Sequence, residues 1–208
     1  MKFVLFVEGH TEKKAIPEFL KRRLDPQLNK PVGIKVVRFE GWQDYVKDIA
    51  KKVALHLSGQ TGADVIAAIG LLDLCGPTFY PPAKADAEAK RAWAKEYLET
   101  AVASQRFRQH FAVHELEAWL LASPAGLPDE VTKALPGRCE KPESVNFDEP
   151  PAKLLDRLYC EKLKKHYKKI TDGTNLFRKL EPEVACAKCP HLKSLLDEML
   201  QLAKDAGL

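Results

Sequence analysis

Three places in this chain put carboxylates directly beyond apolar runs: Glu8 after Lys2 to Val7, Asp73 after Asp64 to Leu72, and Glu115 with Glu117 after Phe107 to Val113. Anions gathered beside apolar segments repel one another or take up protons unless something positive joins them. A divalent cation resolves the conflict. Mg2+ (or Mn2+) suits it, because magnesium takes one or two carboxylates and completes its shell with waters and phosphate oxygens. Any one of these acids could instead cap a helix or pair with a lysine, and the spacing alone does not identify a nuclease.

The elements that must position them read as alternating strands and helices. Lys2 to Val7, Ile34 to Phe39, Asp64 to Leu72 and Phe107 to Val113 are apolar enough for strands buried on both faces. Helices separate them. The first opens either through Thr11 as an N-cap or at Pro17 as a first helical residue. The second carries Trp42, Tyr45, Ile49 and Val53 at helical spacing and ends near Gly59. The third covers residues 84 to 103, and the fourth runs from Glu115 to Ala122. Four such alternations predict an α/β fold with a Rossmann-like, mainly parallel four-stranded sheet flanked by helices. After Pro124 only helical periodicity follows, which divides the chain into an α/β domain over 1–123 and a helical C-terminal extension over 124–208 packed on it. Ligands of open parallel sheets bind at the carboxyl ends of the strands, where the acids stand.

Composition sets the outer bounds. The chain has 208 residues, 45% of them hydrophobic, and 33 Lys and Arg against 29 Asp and Glu, a formal charge of +4. This permits a nucleic-acid partner without demanding one. No stretch approaches the roughly 20 apolar residues needed to cross a bilayer, so a cytoplasmic protein with no membrane association is expected. The 5 cysteines are odd in number and mostly without disulfide-like spacing, so reduced thiols are the default. Cys186 and Cys189 with His191 form half of a zinc pattern, but Cys139 and Cys160 would have to supply the remainder from distant sequence.

Three segments resemble known motifs. Val7-Glu8-Gly9-His10-Thr11-Glu12 resembles the Glu-Gly-x-Thr-Glu element that opens many TOPRIM domains, and Leu72-Asp73-Leu74-Cys75 stands where that fold carries Asp-x-Asp. His114-Glu115-Leu116-Glu117-Ala118 is similar to an element of an uncharacterised TOPRIM-like bacterial family often encoded beside ATPases in phage-defence neighbourhoods. Pro150-Pro151-Ala152-Lys153, Tyr167-Lys168-Lys169, Asp172-Gly173 and Cys189-Pro190-His191 follow in that family's order. One departure matters: Cys75 replaces the second aspartate.

The resemblance implies a Mg2+-dependent nuclease cleaving DNA or RNA, an effector of anti-phage defence with an ATPase partner encoded nearby; a homodimer is compatible with it. Glu8 would be the general acid/base, Asp73 the principal metal ligand, and Glu115 or Glu117 would complete the site. Glu115 is favoured because Glu117, two residues on, would face solvent or a salt bridge in a regular helix. His10, Lys13, His114, Lys153, Lys168 and Lys169 are candidate phosphate contacts, although solvated helix faces explain the lysines as simply. Tyr159 and Tyr167 could stack on bases, though core packing suits them better. The competing reading is a catalytically inactive nucleic-acid-binding or regulatory partner of an ATPase, which Cys75 favours. A receiver-like phosphoacceptor role for Asp73 is weaker, since Glu8 is followed by Gly9 and not by a second acid.

Overall fold

Along β1 (Lys2–Val7), Phe3, Leu5 and Val7 alternate with Val4 and Phe6, and all five are fully buried, so helices must cover both faces of the strand. The computed structural model describes residues 1–145 and 149–208. It contains β2 (Gly33–Arg38), β3 (Val65–Asp73) and β4 (Phe107–Ala112), all parallel, in the order β2-β1-β3-β4. This is the mainly parallel four-stranded sheet flanked by helices that the sequence predicts.

One face buries Phe3, Leu5, Val7, Ile69 and Leu71 beneath α1 (His10–Leu24). The other buries Val4, Phe6, Ala68 and Leu72 beneath α2 (Trp42–Leu57) and α3 (Ala87–Val102). Both helices on that second face match their expected spans closely. The first helix does not. Gly9 is its N-cap, without a side-chain cap, the helical turn begins at His10, and Pro17 lies inside it. Fully buried Ile16, Phe19 and Leu20 hold that helix to the sheet in spite of the proline.

Beyond β4, α4 (Glu117–Leu121) is shorter than expected. There follow α5 (Asp129–Thr132), α6 (Pro151–Leu163), α7 (Thr174–Lys179), α8 (Pro182–Lys188) and α9 (Pro190–Asp205). These helices pack on α1, α4 and the sheet, and Trp119, Phe19 and Phe177 meet ring to ring. Among the described residues, no helix is long and apolar enough to cross a membrane.

Candidate active site

A parallel sheet sends the carboxyl ends of β1, β3 and β4 to one edge. Glu8 follows β1, Asp73 is the last residue of β3, and Glu115 lies three residues beyond β4. An open cleft of about 450 Å³ lies there, lined by Glu8, His10, Glu12, Asp73, Glu117 and Lys169 among others. The turn into α1 is tight: a Cβ on Gly9 would stand 2.8 Å from Glu12 Oε2, so a larger residue there would push that carboxylate aside.

Lys169 is the positive centre of this group. Its Nζ lies 3.3 Å from Glu117 Oε2 and 3.4 Å from Glu115 Oε1. Burial opposes its charge, but Glu117, Asp73 and Glu115 overcome that and hold its pKa above the ordinary lysine value. The acids are raised as well, but chiefly by burial. Burial, reinforced by Glu12, pushes Glu8 from 4.5 up to about 7, with Lys169 opposing. Asp73 is driven well above the carboxylate range by burial, again opposed by Lys169 and reinforced by Glu12, Glu117 and Glu115. Burial raises Glu12 and Glu117 as well. One ammonium faces five carboxyl groups, and Glu8 Oε2 is buried without a hydrogen-bond partner.

Backbone donors anchor two of the acids. Asp73 Oδ1 accepts a 2.9 Å hydrogen bond from Leu116 N, and Glu115 Oε2 accepts one of 2.9 Å from Ala152 N in the first turn of α6. That second bond uses an amide the helix itself cannot pair.

The chain matches the family described as Domain of unknown function (DUF4276) over residues 7–200. It belongs to that family. Among solved structures, this DUF4276 chain is similar to the C-terminal region of the Burkholderia pseudomallei OLD protein, with 19% identity, 99% of this chain and 98% of that chain covered, and a TM-score of 0.53. It also matches the C-terminal region of the Xanthomonas campestris pv. campestris OLD protein, at 19% identity over 98% and 94% of the two chains, with a TM-score of 0.46. At such identity the Burkholderia likeness is one of fold. No curated protein matches the chain significantly.

In the DUF4276 chain, Glu8, Asp73, Glu115 and Glu117 all reach one neighbourhood. Of the two expectations for Glu117, the salt bridge holds and solvent exposure does not: its side chain is 3% exposed and paired with Lys169. The reason is local. Glu115 and Leu116 belong to the turn before α4, so the two glutamates are not two positions of one regular helix. His10 lines the cleft, whereas Lys13 and Lys153 stand on exposed helix surface outside its lining. His114 is 4% exposed, which removes its side chain from the set of surface phosphate contacts. Lys168 is exposed, and its backbone N donates to Asp172 Oδ2. Tyr159 and Tyr167 are core residues in edge-to-face contact.

Sequence reasoning passed over Glu12, although it stands in the Glu-Gly-x-Thr-Glu element, one helical turn from Glu8. It also read Lys169 only as a candidate phosphate contact and missed its part as the counter-charge of the acids. Arg38 and Glu40, paired with each other, line the same cleft. The all-oxygen donor set and the orphaned Glu8 oxygen fit a hard divalent cation such as Mg2+ or Mn2+. Among the described residues, no three of these carboxylates bring oxygens within 4.8 Å of one another. A cation here would therefore take one or two of them and fill its shell with water or phosphate oxygen, as magnesium does.

Proposed function

We propose that this DUF4276 protein is a Mg2+- or Mn2+-dependent nuclease hydrolysing phosphodiester bonds of DNA or RNA. The observation that carries the reading is the gathering of Glu8, Glu12, Asp73, Glu115 and Glu117 around Lys169 at the carboxyl edge of the sheet. Asp73, with one of Glu8, Glu115 or Glu117 as a second ligand, would hold the cation. When bound, the cation would supply charge stabilisation to a phosphate oxygen.

The side chains have separable tasks. Glu8, with a pKa near 7, exchanges a proton at working pH and serves as general acid/base, a role worth ~10²–10⁴-fold. Asp73 is fixed by Leu116 N through Oδ1, and its carboxylate would be a ligand of the cation. Lys169, held charged by its acids, meets the phosphate. His10 at the cleft and Lys168 beside Lys169 contribute phosphate contacts; Lys153 on the exposed face of α6 extends them. The wider reading is a cytoplasmic effector of anti-phage defence, working with an ATPase encoded nearby. It rests on the sequence resemblance.

A second reading has one observation behind it. Cys75 stands where a second aspartate would strengthen the cation site, and burial together with Glu115 and Asp73 raises its thiol pKa, so it supplies no charge. A regulatory subunit that binds nucleic acid without cutting it would look the same. Purified protein incubated with plasmid, single-stranded DNA and tRNA in Mg2+ or Mn2+ separates the two. Cleavage lost in Glu8→Gln and in Asp73→Asn is the expected result. Cleavage that survives both substitutions removes the proposed roles, and binding without cleavage in the unaltered protein selects the regulatory reading.

A further inference from the structure

The geometry points to a second metal site, of a different chemical class, formed by Asp156, Cys160 and His166 on the surface around α6. Their donor atoms all lie within 4.8 Å of one another, the one such group of three among the described residues. His166 Nδ1 stands 3.3 Å from Cys160 Sγ, 3.1 Å from Asp156 Oδ1 and 3.3 Å from Asp156 Oδ2. Ligand atoms bound at about 2.0–2.3 Å to one tetrahedral ion stand roughly 3.3–3.6 Å apart, so a zinc-class ion fits with only small adjustments.

Local structure explains the convergence. Asp156 and Cys160 are one turn apart on α6 and share a face. The helix stops at Leu163, Lys164 adopts a left-handed conformation with φ 56°, and the chain turns back to bring His166 over that face. Asp156 Oδ1 also accepts a 2.9 Å bond from Tyr167 N, which orients the carboxylate as an outer-shell partner would. A thiolate, an imidazole and one carboxylate select zinc-class ions, whereas the all-carboxylate cleft selects magnesium, so the two sites would not compete for one metal. Three protein ligands leave the fourth position to water. An ion bound in this way exchanges, in contrast to a closed four-ligand structural site.

The site has a mechanical consequence. His166 is followed by Tyr167, whose hydroxyl is 3.4 Å from Glu117 Oε1, and then by Lys169. An ion held by His166 and α6 would restrain the turn that delivers Lys169 to the acids. The inference stands whether or not the cleft hydrolyses phosphodiesters.

Cobalt titration of the full chain without Mg2+ tests it, because a sulfur-to-cobalt charge-transfer band reports thiolate ligation; carboxylates give none, and Cys75→Ser, which should leave the band intact, excludes the thiol beside the cleft. The expected result is a band at one equivalent that Zn2+ abolishes, Cys160→Ser removes, and Cys186→Ser and Glu8→Gln leave intact. His166→Asn should weaken Co2+ binding at least about tenfold. A band that persists in Cys160→Ser, or unaltered affinity in His166→Asn, overturns the site. His166 is 79% exposed, so its variant decides the matter even if Cys160→Ser fails to fold. Zn2+ should also slow backbone hydrogen exchange over residues 164–169 in the unaltered protein but not in His166→Asn. Exchange that is indifferent to Zn2+ removes the restraint on Lys169.

Discussion

The upward shift of the Glu8 carboxyl has a measurable consequence for stability. Glu8 has its folded pKa raised from 4.5 to about 7, chiefly by burial, and Glu143 is raised to about 7 for the same reason. A carboxyl raised on folding binds its proton more tightly in the native state. Its contribution to stability is therefore full below pH 4.5 and is lost as pH rises through about 7. In the absence of divalent ions, Tm should fall between pH 5 and pH 8. Glu8→Gln should make that slope shallower without abolishing it, because Glu143 still titrates. A slope unchanged by Glu8→Gln would mean the Glu8 carboxyl is not buried as described. Mg2+ at pH 8 should raise Tm in the unaltered protein, and this gain should shrink in Asp73→Asn. Lys169→Ala should lower stability at pH 8, since it strands the buried Glu117 without its partner, and Mg2+ should recover more of the loss there than in the parent.

At the scale of the element, β3 depends on Gly70. A Cβ there would stand 2.2 Å from the Tyr45 hydroxyl and 2.3 Å from Gln109 Oε1, groups that form a buried 2.7 Å hydrogen bond between α2 and β4. Gly70→Ala should cost roughly 1–3 kcal/mol in urea denaturation, as overpacking does. The start of α9 depends on a residue far from it in sequence. Glu143 accepts from His191 N at 2.9 Å and Leu192 N at 3.3 Å, taking two amides the helix cannot pair internally. Glu143→Ala should cost about 0.5–2 kcal/mol, the range for a lost N-cap. The four strands were legible because each is a short apolar run between turn signals, and α2 because its period is clean. Glu143 was not legible, since a carboxylate capping a helix 48 residues away leaves no local trace. The start of α1 was misjudged because Pro17 argues against an interior position that tertiary burial of its neighbours overrides.

Across the whole molecule, one apolar cluster joins Phe3, Phe19 and Trp119 to Phe177, Leu195 and Met199. Residues on both sides of the expected boundary at 123 share it, so urea unfolding followed by tryptophan fluorescence and by far-UV dichroism should give coincident transitions. Two separate transitions would show that the halves fold independently. Trp119→Ala, which empties a fully buried site, should cost about 3–5 kcal/mol. The acids of the candidate site were readable from the chain because parallel strands send their ends to one edge. Its cation was not, because Lys169 looks no different from Lys162, Lys164, Lys165 or Lys168 until the turn after α6 is seen to bring it back over Glu115 and Glu117.

That long return has a consequence for synthesis, which proceeds from the N-terminus. Glu8, Glu12, Asp73, Glu115 and Glu117 all leave the ribosome before the one ammonium that balances them. Until the segment near residue 169 emerges and docks, the nascent sheet edge is an uncompensated anion. Free magnesium or protonation must neutralise it in that interval. In the finished fold the Lys169 ammonium offsets part of that charge.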